Sequence, residues 1–367
     1  MIFDIIAWKI SRGVKMSNIQ EKYIREINTS DSFFDSLRQD YKGFDTWIAK
    51  KADAGEKAYI LFDNTKIVAF LYLKIESPID NTDISPALDT NVTWLKIGTL
   101  KIDAHGTKLG ERIIKKIFDF AVANNIYNIY VTSFEKQAPL IKLLKRYGFV
   151  QHGKKINELV LTKNIPTHVQ ALKNDILLDY PAINATSDKY LLSIYPKYHT
   201  GMFSDSMLNT ESYDILKDMS ESNSIHKVYI TEMKGVEQLK RGDCLLIYRT
   251  KDKNAQSANY SSVVTSLCVV EEYKDLSSFS DLYDFIKYCK PHNIFTDDEL
   301  ENIFIKKSYT KIIKMAYNIS FKRRVILKKI REIIGHEEAY WGFVKLTDEA
   351  FFAILKEGLV NDSIIIH

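Results

Sequence analysis

The stretch Leu100-Lys101-Ile102-Asp103-Ala104-His105-Gly106-Thr107-Lys108-Leu109-Gly110-Glu111-Arg112 decides how this chain is read. It passes from a strand-like apolar run through a glycine-bearing turn into a helix. Leu109, Ile113, Ile114, Ile117, Phe118, Phe120 and Ala121 recur at helical spacing and predict an amphipathic helix over Leu109–Asn124. Such a turn suits a pyrophosphate. Successive backbone N–H groups point inward, and the helix adds unpaired amides and the positive end of its dipole. Glycine lets backbone approach phosphate oxygens closely, and Lys108 and Arg112 can add side-chain charge. The competing reading is a plain strand-to-helix connection with a capping glycine. No Gly-Lys-Ser/Thr follows the turn and no G-x-G-x-x-G spans it, so it matches neither a P-loop nor a dinucleotide fingerprint.

Outward from the turn, strands and helices alternate between Tyr23 and about Lys163. The expected elements are a strand Tyr23–Ile27, helices Ser30–Gln39 and Asp45–Ala54, and a hairpin Ala58–Phe62 with Lys66–Ile75. A loop Ser77–Asn91, a long strand Val92–Ile102 and a strand Ile126–Thr132 follow. A helix Gln137–Tyr147 is closed by Gly148, before a last strand pair, Phe149–His152 and Ile156–Leu161. Pro166–Thr186 reads as a linker. From Ser187 the chain is richer in short β runs: Tyr190–Tyr195, Lys227–Thr231, Cys244–Thr250, Ser262–Glu272 and Tyr309–Ile319. Helices are expected at Ser277–Cys289, Asp297–Phe304, Arg324–Ile334 and Thr347–Gly358, and a loop at Tyr198–Phe203. That order suggests a small closed or half-closed barrel with helices outside.

At 367 residues the chain is long enough for two domains or three. Hydrophobic residues at 46% supply two cores, and a net charge of +4 does not by itself imply a nucleic-acid partner. Cys244, Cys268 and Cys289 have no metal-ligand spacing, so no metal site is expected. Unpaired thiols suit a reducing cytoplasm, and no stretch has the length of a membrane span. Residues 1–15 read as an extension ahead of Met16.

The order hairpin, long strand, turn, helix, strand, helix, Gly-Phe resembles the GNAT superfamily of N-acetyltransferases over roughly residues 20–163. His105–Gly110 looks like its Q/R-x-x-G-x-G/A motif, and Tyr147-Gly148-Phe149 like the end of its "GF" helix. Lys108 stands at the middle glycine of the motif, and Leu144 where many members carry a tyrosine, so a thiolate-protonating tyrosine is not visible. The resemblance implies acetyl-CoA as cosubstrate, held by Leu100, Lys101, Ile102, His105, Gly106, Thr107, Lys108, Leu109, Gly110 and Arg112. It implies attack of an amine on the thioester, aided by backbone groups of a splayed strand 92–102. No catalytic residue is identified; Ser133 and Glu135 are candidates for a general base or substrate contacts, against a solvated loop and helix cap.

The second half carries ten Lys and Arg residues between Lys306 and Arg331 with no acidic residue among them, interleaved with Tyr309, Tyr317 and Phe321. Phosphates held by the cations and bases stacked on the rings would explain the pattern; a solvated strand and helix would too. Lys240-Arg241-Gly242-Asp243-Cys244-Leu245 and Ser261-Ser262-Val263-Val264-Thr265 are similar to the turn and strand of PUA-like domains, which include ASCH and EVE modules. This second resemblance implies RNA or tRNA binding through Tyr198, His199, Arg249, Ser261, Ser262, Lys322, Arg323 and Arg324.

The expected fold class is α+β. A GNAT-type mixed, mostly antiparallel sheet flanked by helices (16–165) is followed by a linker (166–186) and a PUA-like small β-barrel with surrounding helices (187–367). The expected function is an acyl-CoA-dependent N-acetyltransferase whose second domain recruits RNA or an RNA-bound substrate. The alternatives are a non-catalytic CoA- and RNA-binding regulator, or a toxin-type acetyltransferase paired with an antitoxin. The acceptor, the acyl-group size and the oligomeric state are not legible in the sequence.

Overall fold

Alternating β-branched runs and amphipathic helices give the chain two main sheets, with helices packed on them. The computed structural model describes residues 19–103, 108–203, 224–335 and 340–367. His105, Gly106 and Thr107 of the turn, and residues 1–15, therefore lie outside the described residues.

The first half comprises β1 (Gln20–Tyr23), α1 (Asp35–Asp40), α2 (Phe44–Asp53), β2 (Lys57–Asp63), β3 (Lys66–Glu76), β4 (Ile84–Ser85) and β5 (Trp94–Ile102). It continues with α3 (Leu109–Ala123), β6 (Asn128–Ser133), α4 (Ala138–Arg146), β7 (Val150–Lys155) and β8 (Glu158–Asn164). Its eight-stranded sheet runs β1-β2-β3-β5-β6-β8-β7-β4. Every pair is antiparallel except β5 with β6. Ile113, Ile114, Ile117 and Phe118 of α3 are buried against one face with Leu144 of α4. Phe33, Phe34, Phe44 and Ile48 cover the other face around Phe70 and Tyr72. Strand β1 starts earlier than expected, and Ile24–Glu26 turns into a 3-10 helix that buries Ile24.

The second half comprises β9 (Ile183–Asn184), β10 (Lys189–Ile194), α5 (Pro196–Met202), β11 (His226–Thr231), β12 (Cys244–Arg249), α6 (Ala258–Ser261) and β13 (Val263–Asp275). Then come α7 (Leu282–Cys289), α8 (Asp297–Lys306), β14 (Lys311–Ile326), α9 (Leu327–Ile334), β15 (Phe343–Leu346), α10 (Asp348–Glu357) and β16 (Ile365–Ile366). Its sheet runs β11-β14-β13-β12-β10-β15, with β10 and β12 parallel. The α+β class holds, but the expected barrel does not close: among the described residues β11 and β15 are the two ends of an open sheet. Helices α7 and α8 seal Val228, Ile230 and Ile312 instead, so edge closure is not needed to cover that face.

Two further expectations change. Tyr198–Phe203 is not a loop: α5 starts with Pro196 in its first turn, and His199 and Thr200 turn inward. Arg324 belongs to β14, whose alternation continues to Ile326. The segment read as a linker packs as a wedge between the sheets. Tyr180 is fully buried, its ring edge-on to Phe118 at 5.4 Å, and its hydroxyl donates to Tyr317 O at 2.8 Å.

Candidate functional site

The site begins with an interruption in pairing. Strand β5 pairs with β6 only over Trp94–Ile97 against Asn128–Val131. From Gly98 onward β5 stays paired with β3 but has no partner in β6. The backbone edge from Gly98 to Ile102 therefore faces an opening rather than a strand. Gly98 is also the extra residue of a bulge, because Tyr72 pairs with Thr99 and Leu73 with Ile97. A Cβ at Gly98 would lie 2.7 Å from Tyr72 Cδ1, so only glycine fits there.

The parting opens a cavity of about 860 Å³. Its walls are β5 from Ile97 to Asp103, Val131–Ser133 of β6, the start of α3, one face of α4 and the α1–α2 corner. Lys108, Gly110 and Glu111 line it along with Asp40, Tyr41, Phe44 and Trp47. The α1–α2 corner is latched across the sheet. Asp40 pairs with Lys136, the Tyr41 ring lies 5.2 Å from that of Phe134, and the Tyr41 hydroxyl donates to Glu158 at 2.7 Å. Burial, with the Glu158 carboxylate beside it, raises the Tyr41 hydroxyl above its ordinary range.

Among the sequence candidates, Leu100, Lys101, Ile102, Lys108 and Gly110 line the cavity. The Lys101 ammonium is turned to Asp103 at 2.7 Å and Ser36 at 2.7 Å, so this residue offers mainly backbone. Leu109 and Arg112 are buried and are not part of the wall. A Cβ at Gly110 would come within 2.8 Å of Leu143 Cδ2, so this glycine serves the approach of α3 to α4. Ser133 is buried in the wall. Glu135 is not in the wall and pairs with Lys154 at 3.5 Å on the surface. Leu144 is a core residue, and Tyr147 points away from the cavity.

Where α3 meets the second sheet, charged groups form a chain in which Glu111, His226 and Glu271 are buried and Arg146 is exposed. Arg146 Nη1 lies 3.4 Å from Glu111 Oε1, and its Nη2 donates to His226 Nε2 at 2.9 Å. His226 Nδ1 contacts Glu271 Oε1, and Lys314 Nζ is 3.4 Å from Glu271 Oε2. Burial alone would raise Glu271; the His226 hydrogen bond and Lys314 outweigh it and hold the carboxyl below its usual range. His292, with its ring 5.0 Å from that of His226, is lowered to about 2 by burial and then by the Lys108 charge.

The expected nucleic-acid residues do not form one surface. Lys322 and Arg323 are exposed, Arg323 pairing with Glu357 at 3.3 Å. Tyr198, Ser261 and Arg324 are half-buried. His199, Arg249 and Ser262 are inside. His199 Nε2 bonds Thr265 Oγ1 at 2.7 Å, and burial, then Arg249 and Arg324, lower the imidazole to about 3. Arg249 pairs with Asp252 at 2.9 Å. Tyr317 and Phe321 are core residues, so they cannot stack bases; alternation along β14 turns them inward.

Sequence reading missed Gly98, Asp40, Tyr41, Trp47 and Glu111. Gly98 carried a signal, a lone glycine in an otherwise β-forming run. The α1–α2 residues carried none, because they reach the cavity from more than fifty positions away.

No protein-family model and no curated protein matches the sequence. Solved structures do. The chain is similar to an ASCH protein from Zymomonas mobilis, at 9% identity, covering 46% of this chain and 94% of that one, with a TM-score of 0.30. It is similar to a GNAT-family acetyltransferase from Listeria monocytogenes, at 16% identity, covering 40% of this chain and 95% of that one, with a TM-score of 0.31. It is also similar to the Campylobacter jejuni N-acetyltransferase PseH in complex with acetyl coenzyme A, at 12% identity over 40% and 98% of the two chains, with a TM-score of 0.27.

Proposed function

We propose that this chain is an acyl-CoA-dependent N-acyltransferase that moves acetyl from acetyl-CoA to an amine. The observation that carries the reading is the parting of β5 from β6 at Gly98, which opens a cavity through the sheet. The unpaired edge of β5 suits an extended chain bearing amides, such as the pantetheine arm. The start of α3 suits its pyrophosphate, with Leu100, Lys101, Ile102, Lys108 and Gly110 in the wall.

The amine enters from the α1–α2 end. The ammonium first gives a proton to water, and the neutral nitrogen then attacks the thioester carbon. A C–N bond forms, the C–S bond breaks, and the nitrogen gives a second proton to water as the amide forms. The thiolate leaves and takes a proton. A backbone N–H on the open edge of β5 stabilises the oxyanion. Asp40 draws a cationic amine to its mouth, and Ser133 contacts the acceptor. Tyr41 is the tyrosine of the described wall, but its proton is committed to Glu158 and its acidity is lowered, so water is the proposed proton source for the thiolate.

The proposed division is an acyltransferase domain at 16–165, a linker at 166–186 and a PUA-like domain at 187–367. The second domain recruits RNA or an RNA-bound amine, with Lys322 and Arg323 as its exposed cations. The test is calorimetry with acetyl-CoA, followed by transfer of labelled acetyl to pooled tRNA, aminoacyl-tRNA and protein amines. Binding with transfer supports the enzyme. Binding without transfer to any amine supports the non-catalytic regulator, a reading favoured by Leu144 and Tyr147 both lying off the cavity.

A further inference from the structure

Among the described side chains of the cavity wall, one buried polar atom has no hydrogen-bond partner. Glu111 stands in the first turn of α3, is 6% exposed and lines the cavity. Its Oε1 faces Arg146, while its Oε2 is buried with no hydrogen-bond partner. A buried carboxylate oxygen left open is costly, and an incoming N–H or O–H relieves it. It cannot serve a phosphate, since both are anionic and acceptor-only.

The position narrows the donor. From Gly98 to Ile102 the strand covers about 13 Å at the usual rise per residue. That is the stretch for the acyl-bearing arm. Glu111 lies beyond that edge in the chain, in the first turn of α3. The part of acyl-CoA that reaches beyond its pyrophosphate is the adenosine, whose exocyclic amine and ribose hydroxyl are donors.

The pose of Glu111 is set from the second sheet. His226 is fully buried. Its Nε2 faces two donors, Arg146 Nη2 at 2.9 Å and the Tyr147 hydroxyl at 3.4 Å, so Nε2 accepts. Its Nδ1 then carries the proton and donates to Glu271. Both terminal nitrogens of Arg146 are engaged, Nη2 by His226 and Nη1 by Glu111 Oε1.

We propose that the second half of the chain completes the acyl-donor site: Glu111 Oε2 accepts a hydrogen bond from the adenosine of acyl-CoA, and His226 acts through Arg146 as its positioning residue. The proposal rests on the acyl-CoA reading above.

The test uses the full chain and three probes: CoA, 4′-phosphopantetheine and adenosine 3′,5′-bisphosphate. In Glu111→Gln, the amide oxygen turns to Arg146 and its NH2 takes the open position, where it cannot accept. Binding of CoA and of the bisphosphate should weaken about tenfold or more, with phosphopantetheine unchanged. His226→Phe should reproduce this selective loss, and His226→Gln, which keeps a carbonyl acceptor, should restore much of it. Melting curves identify any variant that fails to fold, and Glu111→Gln stands as the independent arm in that case. Unchanged CoA binding by Glu111→Gln overturns the proposal, as does equal weakening of CoA and phosphopantetheine. A wild-type chain that binds none of the probes overturns the acyl-CoA reading and this proposal together.

Discussion

The two sheets handle strand pairing in opposite ways. In the first, β5 and β6 pair over only four residues and then separate, leaving backbone edge and a cavity. In the second, β13 and β14 shift register three times and stay paired from Asp275–Lys311 to Val263–Ile326. Bulges occur in both, so a bulge alone does not open a sheet. The difference lies in what surrounds it. Gly98 has α3 and the α1–α2 corner on either side of the parting, holding the strands apart. The bulged strands of the second sheet are packed from both faces, and β10 and β12 are buried along their whole length. Their polar residues, His199, Thr265 and Arg249, are consumed by one another or by neighbours. Buried side-chain atoms without a partner occur on both sides, His199 Nδ1 and Asn318 Oδ1 among them, but among the described residues Glu111 Oε2 is the one in the cavity wall.

The most severe way to break this contrast is Gly98→Val. The new side chain meets the Tyr72 ring, and the bulge that starts the parting is lost. Transfer activity should fall at least a hundredfold, with a stability loss of about 1–3 kcal/mol in denaturant melts. Gly148→Ala comes next. Its φ of +81° disfavours a side chain, and a Cβ would lie 2.4 Å from Leu178 O in the wedge between the sheets. A loss of about 2 kcal/mol or more is expected, and a variant as stable as wild type would show that the wedge yields freely.

The two sides also differ in how they titrate. His199 is held at about 3 against an ordinary 6.5, so the unfolded chain binds more protons between those values. Its contribution is complete above about 6.5 and is lost as pH falls toward 3. His199→Gln should flatten the stability profile in that window. Lys163, on the first sheet, is lowered to about 7 from 10.5 by burial, then by Lys173. Stability should therefore rise with pH from about 7 to 10.5, and Lys163→Met should remove that slope in urea titrations. The mildest change is Lys322→Glu with Arg323→Glu. Melting should move little, because both are exposed. RNA affinity should drop and its salt dependence should flatten by about two phosphate contacts; unaltered RNA binding would remove these cations from any interface.

The succession of elements was readable because strand and helix periods differ and because Gly148 and the capping residues mark ends. Helix α3 came out within a residue of its observed span, since its apolar stripe is unbroken. The misreadings share a cause. Tyr198–Phe203 was expected as a loop, but burial of His199 and Thr200 keeps α5 helical. The cations of β14 looked like one basic surface. Strand alternation scatters them, and tertiary contacts turn Tyr317 and Phe321 into core.

By itself, the sequence determined the α+β class, the order of elements, and the strand and helix on either side of residues 104–107, because these depend on local periodicity. Only the tertiary structure decided that β5 leaves β6 at Gly98, that Asp40, Tyr41 and Trp47 line one cavity with Lys108 and Glu111, and that His226 reaches Arg146 from the other half of the chain. Those are contacts between positions tens of residues apart. They are chosen by how sheets and helices pack, and no local pattern carries them.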